Sequence, residues 1–144
     1  MKKSMLFVLL LALPFYVSAK SKNYGNVFVS EVRSIYDADT FRVSIDGWQD
    51  IIGESMPIRV NGIDAAEMRG KCQKEKDMAR AAKKATVAML RGAKRIELRN
   101  MKRGKYFRII ADVYVDGKNL GEALVARGLA REYYGGKRRG WCDI

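Results

Sequence analysis

The chain has 144 residues, a formal net charge of +12 at pH 7 and no histidine. This length suits one compact domain with a modest core, and the basic surplus points to a polyanion such as nucleic acid, anionic lipid or acidic polysaccharide. The lack of histidine excludes a histidine general base and a His-ligated zinc site. Catalysis would therefore depend on carboxylates, Arg, Lys, Tyr or a metal ion held by oxygen.

The beginning of the chain predicts an export signal over residues 1–19. Lys2 and Lys3 precede an apolar run over residues 5–17, and small residues that suit cleavage follow it. An uncleaved anchor is the alternative, but this run is shorter than the roughly twenty residues that span a bilayer. We expect a mature domain of residues 20–144 with net charge +10. It would be periplasmic or secreted, without stable membrane association.

Three strand-like runs follow the signal. Residues 27–35 and 40–45 are rich in β-branched and aromatic side chains, and a turn pair at 46–47 ends the second run. Pro57 predicts the beginning of a third strand over residues 58–63, because proline supplies no hydrogen-bond donor to a sheet.

From Lys71 the periodicity becomes helical. Apolar side chains recur at intervals of four, three and four residues, while basic side chains fall largely on other faces; the apolar ones are Met78, Ala82, Ala85 and Met89. This pattern predicts an amphipathic helix that ends near Gly92. Its basic residues are typical of a solvated face rather than of a specific binding surface.

The rest of the chain predicts two strands and a short helix. The strands cover residues 95–99 and 108–115, and Asn119 with Glu122 resembles a capping box that opens the helix before Gly128 ends it. Five short strands with an inserted amphipathic helix and a second short helix predict a mainly β fold with helices (α+β). Its core would be a partly open five-stranded barrel of the oligonucleotide-binding (OB) type.

The two cysteines, Cys72 and Cys142, are too few for a zinc cluster. In an exported protein such a pair predicts one disulfide, and the alternative of a reactive thiol lacks a histidine partner. The disulfide would fasten a short basic tail, residues 135–144, which follows two tyrosines. Aromatic side chains mixed with cations suit single-stranded nucleic acid; a mobile tail pinned only by Cys142 is the other interpretation.

Acids and an arginine cluster at the ends of two predicted strands. Residues 37–41 contain Asp39, and residues 58–67 contain Arg59, Asp64 and Glu67. Two Asp side chains can hold a hard divalent cation, a guanidinium can bind two phosphate oxygens, and a further carboxylate can orient or deprotonate water. The pattern predicts a cation site facing a phosphodiester, although Asp39 or Asp64 alone would more often be a turn residue.

Five motifs in order resemble the staphylococcal (micrococcal) nuclease or thermonuclease family. They lie between Val29 and Tyr134, at residues 37–40, 58–67, 105–108, 113–117 and 122–130. The resemblance implies a five-stranded OB barrel and a calcium-dependent endonuclease that hydrolyses DNA and RNA with little sequence preference. It would break the bond to the 5′ oxygen, leave 3′-phosphate ends and favour single strands, and we expect a monomer.

The resemblance also implies roles for individual residues around the metal. Asp39 and Asp64 match the side-chain ligands of the calcium ion, and the backbone carbonyl of Ala65 matches a third protein oxygen. Asp37 matches a second acidic position near the metal, and Thr40 belongs to the same motif; both would support the ligands rather than bind the ion.

The remaining matches concern the substrate. Arg59 and Arg108 match two arginines that bind phosphate, and Glu67 matches the glutamate that activates the attacking water. Positions at which the family contacts the nucleotide are occupied by Lys105, Tyr106 and Tyr134.

The sequence departs from the family pattern at three positions. Ala66 stands where the family's turn usually has proline, so the fixed φ of proline is missing and we expect Glu67 to be held less rigidly. Phe107 and Ala38 replace glycines that are common before the arginine and between the aspartates. These changes would alter turn geometry and substrate fit, but every acid and arginine is retained.

Two other functions are compatible with the composition. An OB barrel can hold single-stranded nucleic acid or another polyanion without cutting it, since fold does not determine function. A cationic surface-active protein is less well supported, because such a role does not require the acidic cluster.

Overall fold

A computed structural model describes residues 21–143. The predicted signal segment, residues 1–19, lies outside the described residues. Between residues 21 and 143 no helix has the length and apolar character needed to cross a membrane.

Most of the strands form one curled sheet. Its members, in chain order, are β1 (Val27–Phe28), β2 (Glu31–Asp37), β3 (Thr40–Ser44), β4 (Met56–Val60), β6 (Ile96–Arg103), β7 (Ile109–Val115) and β8 (Lys118–Asn119). They are arranged in the order β1-β6-β7-β4-β3-β2, and β8 pairs with β7. Only the β4–β7 pair among them is parallel. The sheet curls into a half-barrel, which confirms the predicted mainly β, OB-type fold.

A second, two-stranded sheet lies beside the half-barrel. It consists of β5 (Ile63–Asp64) and β9 (Arg131–Glu132), which pair in antiparallel fashion. Because β5 carries Asp64, the pairing Asp64↔Arg131 joins an acid of the predicted site to the strand that precedes the tail.

The strands differ from their predicted boundaries in several places, including the end of β6, which reaches Arg103. The run 27–35 is divided into β1 and β2, because β1 pairs with β6 rather than with a neighbour in sequence. The run 58–63 is divided into β4 and β5 by a turn in which Gly62 has φ of +76°, a conformation that glycine adopts without strain. Pro57 lies inside β4 rather than before it, opposite Arg42.

Three helices accompany the sheet in residues 21–143: α1 (Asp50–Gly53), α2 (Gln73–Arg91) and α3 (Leu120–Ala126). The first was not predicted, since four residues carry too little periodicity. In α3, the Asn119 side chain accepts from Glu122 N at 3.1 Å, as the capping pattern predicts. Gly128, at φ of +68°, follows the end of α3, and its N–H donates to Val125 O at 2.9 Å.

The predicted helix is present, with Gly92 at its end and Ala82 buried as expected, but its buried face is centred about one residue away from the predicted one. The buried positions are Glu75, Ala79, Ala82, Thr86 and Leu90, whereas Met78, Ala85 and Met89 are half-buried at the border. Small side chains face the sheet because they let the helix approach it closely. The Thr86 hydroxyl is fully buried and donates to the Ala38 carbonyl at 2.9 Å, so α2 also holds the turn between β2 and β3.

The core lies between the concave face of the sheet and helices α2 and α3. Its largest fully buried side chains are Phe41, Ile58, Leu98, Leu120 and Leu124. Each such side chain stabilises the fold by roughly 1.5–3 kcal/mol when it is removed from water. This packing fixes the strand ends from which the acidic residues project.

The predicted disulfide between Cys72 and Cys142 is present, with a Cα–Cα distance of 6.0 Å. It ties the residue that caps α2 to the tail, since the Cys72 Sγ accepts from Glu75 N at 3.4 Å. The tail therefore lies against the beginning of α2.

Candidate active site

Two aspartates lie almost completely buried at one edge of the half-barrel. Asp39 is 2% exposed and Asp64 is 3% exposed. The Asp39 carbonyl accepts from Val60 N at 2.9 Å, which holds the β2–β3 turn beside β4. The Ala65 N–H donates to Asp39 Oδ2 at 3.2 Å, so the two acidic segments are in direct contact.

Arg59 lies between these two aspartates. Its Nη1 is 2.5 Å from Asp39 Oδ2, its Nη2 is 3.9 Å from Asp64 Oδ1, and Nη2 also donates to the Ile63 carbonyl at 3.3 Å. Thr40 Oγ1 donates to the other oxygen of Asp39 at 3.0 Å. The Asp39 carboxylate is thus oriented by three groups, and Arg59 is held on the cleft side of β4.

Asp37 adds a third carboxylate to this edge. Its Oδ1 is buried and has no hydrogen-bond partner among residues 21–143. Burial, followed by the nearby charges of Asp39 and Glu67, raises the pKa of Asp37, while the Met68 N–H and Lys83 oppose the rise. An unpartnered buried oxygen beside other carboxylates indicates a site that lacks positive charge.

Asp39 and Asp64 are donors of the kind that a hard divalent cation takes, and in this structure protein donors occupy their oxygens. The carboxylates of Asp39 and Asp64, together with backbone carbonyls, are the oxygen ligands that calcium prefers. The orphaned Asp37 oxygen indicates the same need for a cation. The residues that sequence reasoning assigned to the metal, Asp39, Asp64 and Ala65, are therefore brought together by the fold.

The tail contributes two contacts that sequence reasoning missed. Arg138 Nε donates to Asp64 Oδ1 at 2.6 Å, and its Nη1 donates to Glu67 Oε1 at 2.6 Å. Trp141 Nε1 donates to Asp64 Oδ2 at 3.2 Å. Burial lowers the pKa of Arg138, but the hydrogen bonds to Asp64 and Glu67 outweigh this effect and hold that pKa above its ordinary value.

The position of the tail has a clear structural cause. Cys142 is bonded to Cys72, and the Arg131 guanidinium lies over the Trp141 ring at 3.5 Å from its centre. Cys72 lies five residues after Glu67. The predicted disulfide from Cys72 to Cys142 was therefore the signal that could have placed this tail beside the acids. The sequence alone did not show which of its three basic residues would reach them.

Asp37 and the arginines open onto one large cleft of about 890 Å³, whereas Asp39 and Asp64 are buried and contact its lining through Arg59. Arg59, Glu67, Arg108, Tyr134 and Arg138 all line it. Arg108 Nε is buried without a hydrogen-bond partner in the described part of the chain. A buried guanidinium nitrogen without an acceptor is suited to receiving an anionic oxygen from a ligand.

The predicted nucleotide contacts are divided between two places. Tyr134 lines the cleft and packs on the turn before β5, where a Cβ at Gly62 would lie 3.3 Å from its ring. Lys105 and Tyr106 do not line the cleft; they lie on the exposed turn between β6 and β7. Their role in binding stays a prediction.

The structure accounts for two departures from the family pattern. Ala66 is buried against Ala79 and Trp141, so packing holds the Asp64–Glu67 turn where proline is missing. Glu67 itself is exposed, and Arg138 is its hydrogen-bond partner. Phe107 has φ of +54°, which explains why glycine suits this position.

A comparison with protein-family models matches residues 57–140 to staphylococcal nuclease homologues. The matched segment is more than half of the chain and includes Arg59, Asp64, Glu67 and Arg108. It begins after Asp39, which is joined to it through Arg59 and Ala65. A search of curated proteins found no match.

Proposed function

Because the chain belongs to the staphylococcal nuclease homologue family, we propose that it is a calcium-dependent endonuclease of DNA and RNA. The family consists of nucleases, which are phosphodiester hydrolases and typically depend on a metal ion. Little sequence preference and 3′-phosphate products belong to the proposal. The observation that supports it best is that Glu67, Arg59 and Arg108 line one cleft, and that Arg59 connects this cleft to the buried Asp39 and Asp64.

The residues divide the chemistry as follows. A calcium ion on Asp39, Asp64 and the Ala65 carbonyl would supply positive charge where negative charge develops on the phosphoryl oxygens. Arg108 binds a phosphate oxygen. Its guanidinium is suited to this role because the Nε atom has no protein acceptor within residues 21–143. Arg59, held by Asp39 and the Ile63 carbonyl, faces the same cleft.

Glu67 accepts the proton of the attacking water. It is the exposed carboxylate at this cleft edge, whereas Asp39 and Asp64 are buried and paired with arginines. A general base must lie within hydrogen-bond reach of water at the reacting phosphate. Arg138 has to leave Glu67 before this carboxylate can take up that role.

The compartment and the assembly state are also part of the proposal. The Cys72–Cys142 bond supports an oxidising compartment, such as the periplasm or the cell exterior. We propose that the protein acts as a monomer and favours single strands, since all of the proposed site residues belong to one chain and the cleft contains exposed Tyr134.

One contact favours a second candidate function. Arg138 binds both Asp64 and Glu67, and a chain that retained this bridge permanently would hold nucleic acid without hydrolysing it. The two functions differ in a single measurement, which is cleavage after calcium is added.

The experiment incubates plasmid DNA and single-stranded RNA with the purified protein in calcium or in chelator. The nuclease proposal expects cleavage in calcium alone, with 3′-phosphate ends, and strong loss of cleavage in Glu67→Gln. Glu122→Gln is the matched control, because Glu122 is exposed on α3 and does not line the cleft. Binding of both substrates without cleavage at any calcium concentration would favour the non-catalytic binder.

A further inference from the structure

A second cavity adjoins the cleft on the far side of Arg108. It has a volume of about 290 Å³ and is lined by three aromatic side chains, Tyr24, Trp48 and Phe107. We propose that this cavity, the Trp48 pocket, binds one unstacked nucleobase of a single strand whose phosphate lies on Arg108. The proposal rests on nucleic acid being the substrate, and it adds a base-binding subsite to the catalytic cleft.

Two basic residues connect the Trp48 pocket to the catalytic cleft. Lys102 and Arg108 line both cavities. When a phosphate binds to Arg108, the base of the next nucleotide could therefore enter either the Trp48 pocket or the catalytic cleft. The buried Arg108 Nε, which has no acceptor among the described residues, lies at this junction.

The charges around the Trp48 pocket favour an anionic ligand. Lys102, Arg103 and Arg108 contribute to its lining, and no Asp or Glu of residues 21–143 does. The rest of the lining is aromatic or aliphatic. Cations beside a mainly apolar surface match a nucleotide, which combines a negative phosphate with a flat base.

The aromatic side chains are available for stacking. Tyr24 is 53% exposed and Phe107 is 52% exposed. Trp48 is partly buried against the core, so its position is fixed more firmly than that of the other two. Aromatic faces bind any base, because every base has a π-face. The subsite would therefore add affinity without sequence preference.

Local backbone structure holds Trp48 in this position. The segment between β3 and β4 is closed by a hydrogen bond from Ile45 N to Gly53 O at 2.8 Å. A Cβ at Gly53 would lie 2.8 Å from Trp48 Cβ, so only glycine allows the approach. The segment that carries α1 thus functions as a support for one wall of the pocket.

The size of the pocket limits its ligand. A volume of 290 Å³ is at the lower end of the roughly 300–1,000 Å³ of small-ligand pockets. It suits one base rather than a stacked duplex. A strand that uses both cavities has to unstack at the phosphate between them, and we therefore expect tighter binding of single strands than of duplexes.

The test measures binding in chelator, where cleavage does not interfere. A short single-stranded oligonucleotide is compared with a series of variants of the same sequence, each of which carries one abasic residue at a different position. Trp48→Ala should weaken binding of the intact strand by roughly 5- to 100-fold, the range that stacking on one aromatic side chain provides. Loss of the matching base should weaken binding similarly, and the two losses should not add.

Ile51→Ala is the matched control, because Ile51 is 81% exposed on α1 and does not line the pocket. If Trp48→Ala destabilises the fold, Trp48→Phe serves instead: it should retain most of the affinity and remove the part of the oligonucleotide's fluorescence quenching that comes from Trp48, leaving the part that comes from Trp141. Equal losses for intact and abasic strands, or no quenching of the parent, would overturn the subsite.

The outcome separates the subsite from the proposed nuclease activity. Base-dependent binding without calcium-dependent cleavage would support the proposed subsite and reject the proposed nuclease activity. Normal cleavage with unchanged binding in Trp48→Ala would leave the nuclease and reject the subsite.

Discussion

Asp64 is the residue at which the core, the cleft and the tail meet. Its two oxygens accept from Arg138 and Trp141, and Arg59 lies 3.9 Å from the oxygen that Arg138 also engages. A buried carboxylate of this kind requires a compensating cation. In the described structure that cation is an arginine from the tail, and in the proposed enzyme it is calcium.

Glu67→Gln tests the proposed general base. The amide keeps the shape of the side chain but cannot accept a proton, so cleavage should fall by about a hundredfold or more. Calcium and substrate should still bind, because Glu67 is not among the proposed ligands. Calorimetric titration with calcium, together with initial cleavage rates, measures the two effects separately.

Asp39→Asn is expected to act differently. It removes a charge from the proposed ligand set, so calcium affinity should fall and activity should partly recover at high calcium. If both Asp39→Asn and Glu67→Gln cleave at the parent rate under limiting and saturating calcium, the site assignment is wrong.

Arg138→Gln tests competition between the tail and calcium. Removing the guanidinium frees Asp64 and Glu67, so calcium affinity should rise roughly fivefold, equivalent to about 1 kcal/mol for a partly exposed ion pair. Calcium titration of Trp141 fluorescence and calorimetry both report it. Arg139→Gln is the control, since Arg139 contributes its backbone carbonyl, and no side-chain hydrogen bond within residues 21–143, to the tail. An unchanged calcium affinity in Arg138→Gln would contradict the competition.

At the scale of the elements, α2 positions the acids from a distance. Thr86, near the middle of α2, is joined to the turn that carries Asp37 and Asp39 through the Ala38 carbonyl. The same helix begins at Cys72, which holds the tail. One rigid helix thus fixes two of the segments that supply the cleft.

Thr86→Val tests the link between α2 and the β2–β3 turn. Valine has nearly the same shape but leaves the buried Ala38 carbonyl without this donor, which should destabilise the fold by about 1–3 kcal/mol. The midpoint of urea unfolding measures the change. Thr40→Val is a comparison at a less buried hydroxyl, where we expect a smaller loss of stability. Equal midpoints for Thr86→Val and the parent would show that the bond contributes nothing.

At the scale of the whole molecule, the disulfide joins two cysteines that are separated by 70 positions in the sequence. Replacing Cys72 and Cys142 by serine should lower the free energy of unfolding by about 4 kcal/mol, because the unfolded chain regains conformational freedom. Serine retains a side-chain acceptor at the beginning of α2, so loss of the helix cap should be small. Urea unfolding of the double variant and of the reduced parent should agree, and parent-like stability in both would refute the prediction.

The net charge of the chain governs how it meets its substrate. Phosphate contacts release counterions, so binding of single strands in chelator should weaken steeply between about 50 and 200 mM salt and vary little with sequence. Fluorescence anisotropy with labelled oligonucleotides measures both dependences. A flat salt response would count against recognition dominated by phosphates.

The sequence by itself determined the mainly β fold, the caps of α3, the disulfide and the proximity of Asp39, Arg59 and Asp64. These features depend on local periodicity, turn chemistry or the pairing of the only two cysteines, all of which can be read over short distances or by count. The family match over residues 57–140 agrees with them.

Only the tertiary structure decided which face of α2 is buried, how the run 58–63 divides, and that Arg138 and Trp141 reach Asp64. The first depends on what packs against the helix, and Met78 and Ala79 are equally compatible with the pattern until Ala66 and Trp141 pack on Ala79. The last depends on a contact across 74 residues, where one basic residue of the tail is indistinguishable from its neighbours in sequence. Only the fold of the chain and the disulfide bring that particular arginine to the buried carboxylate.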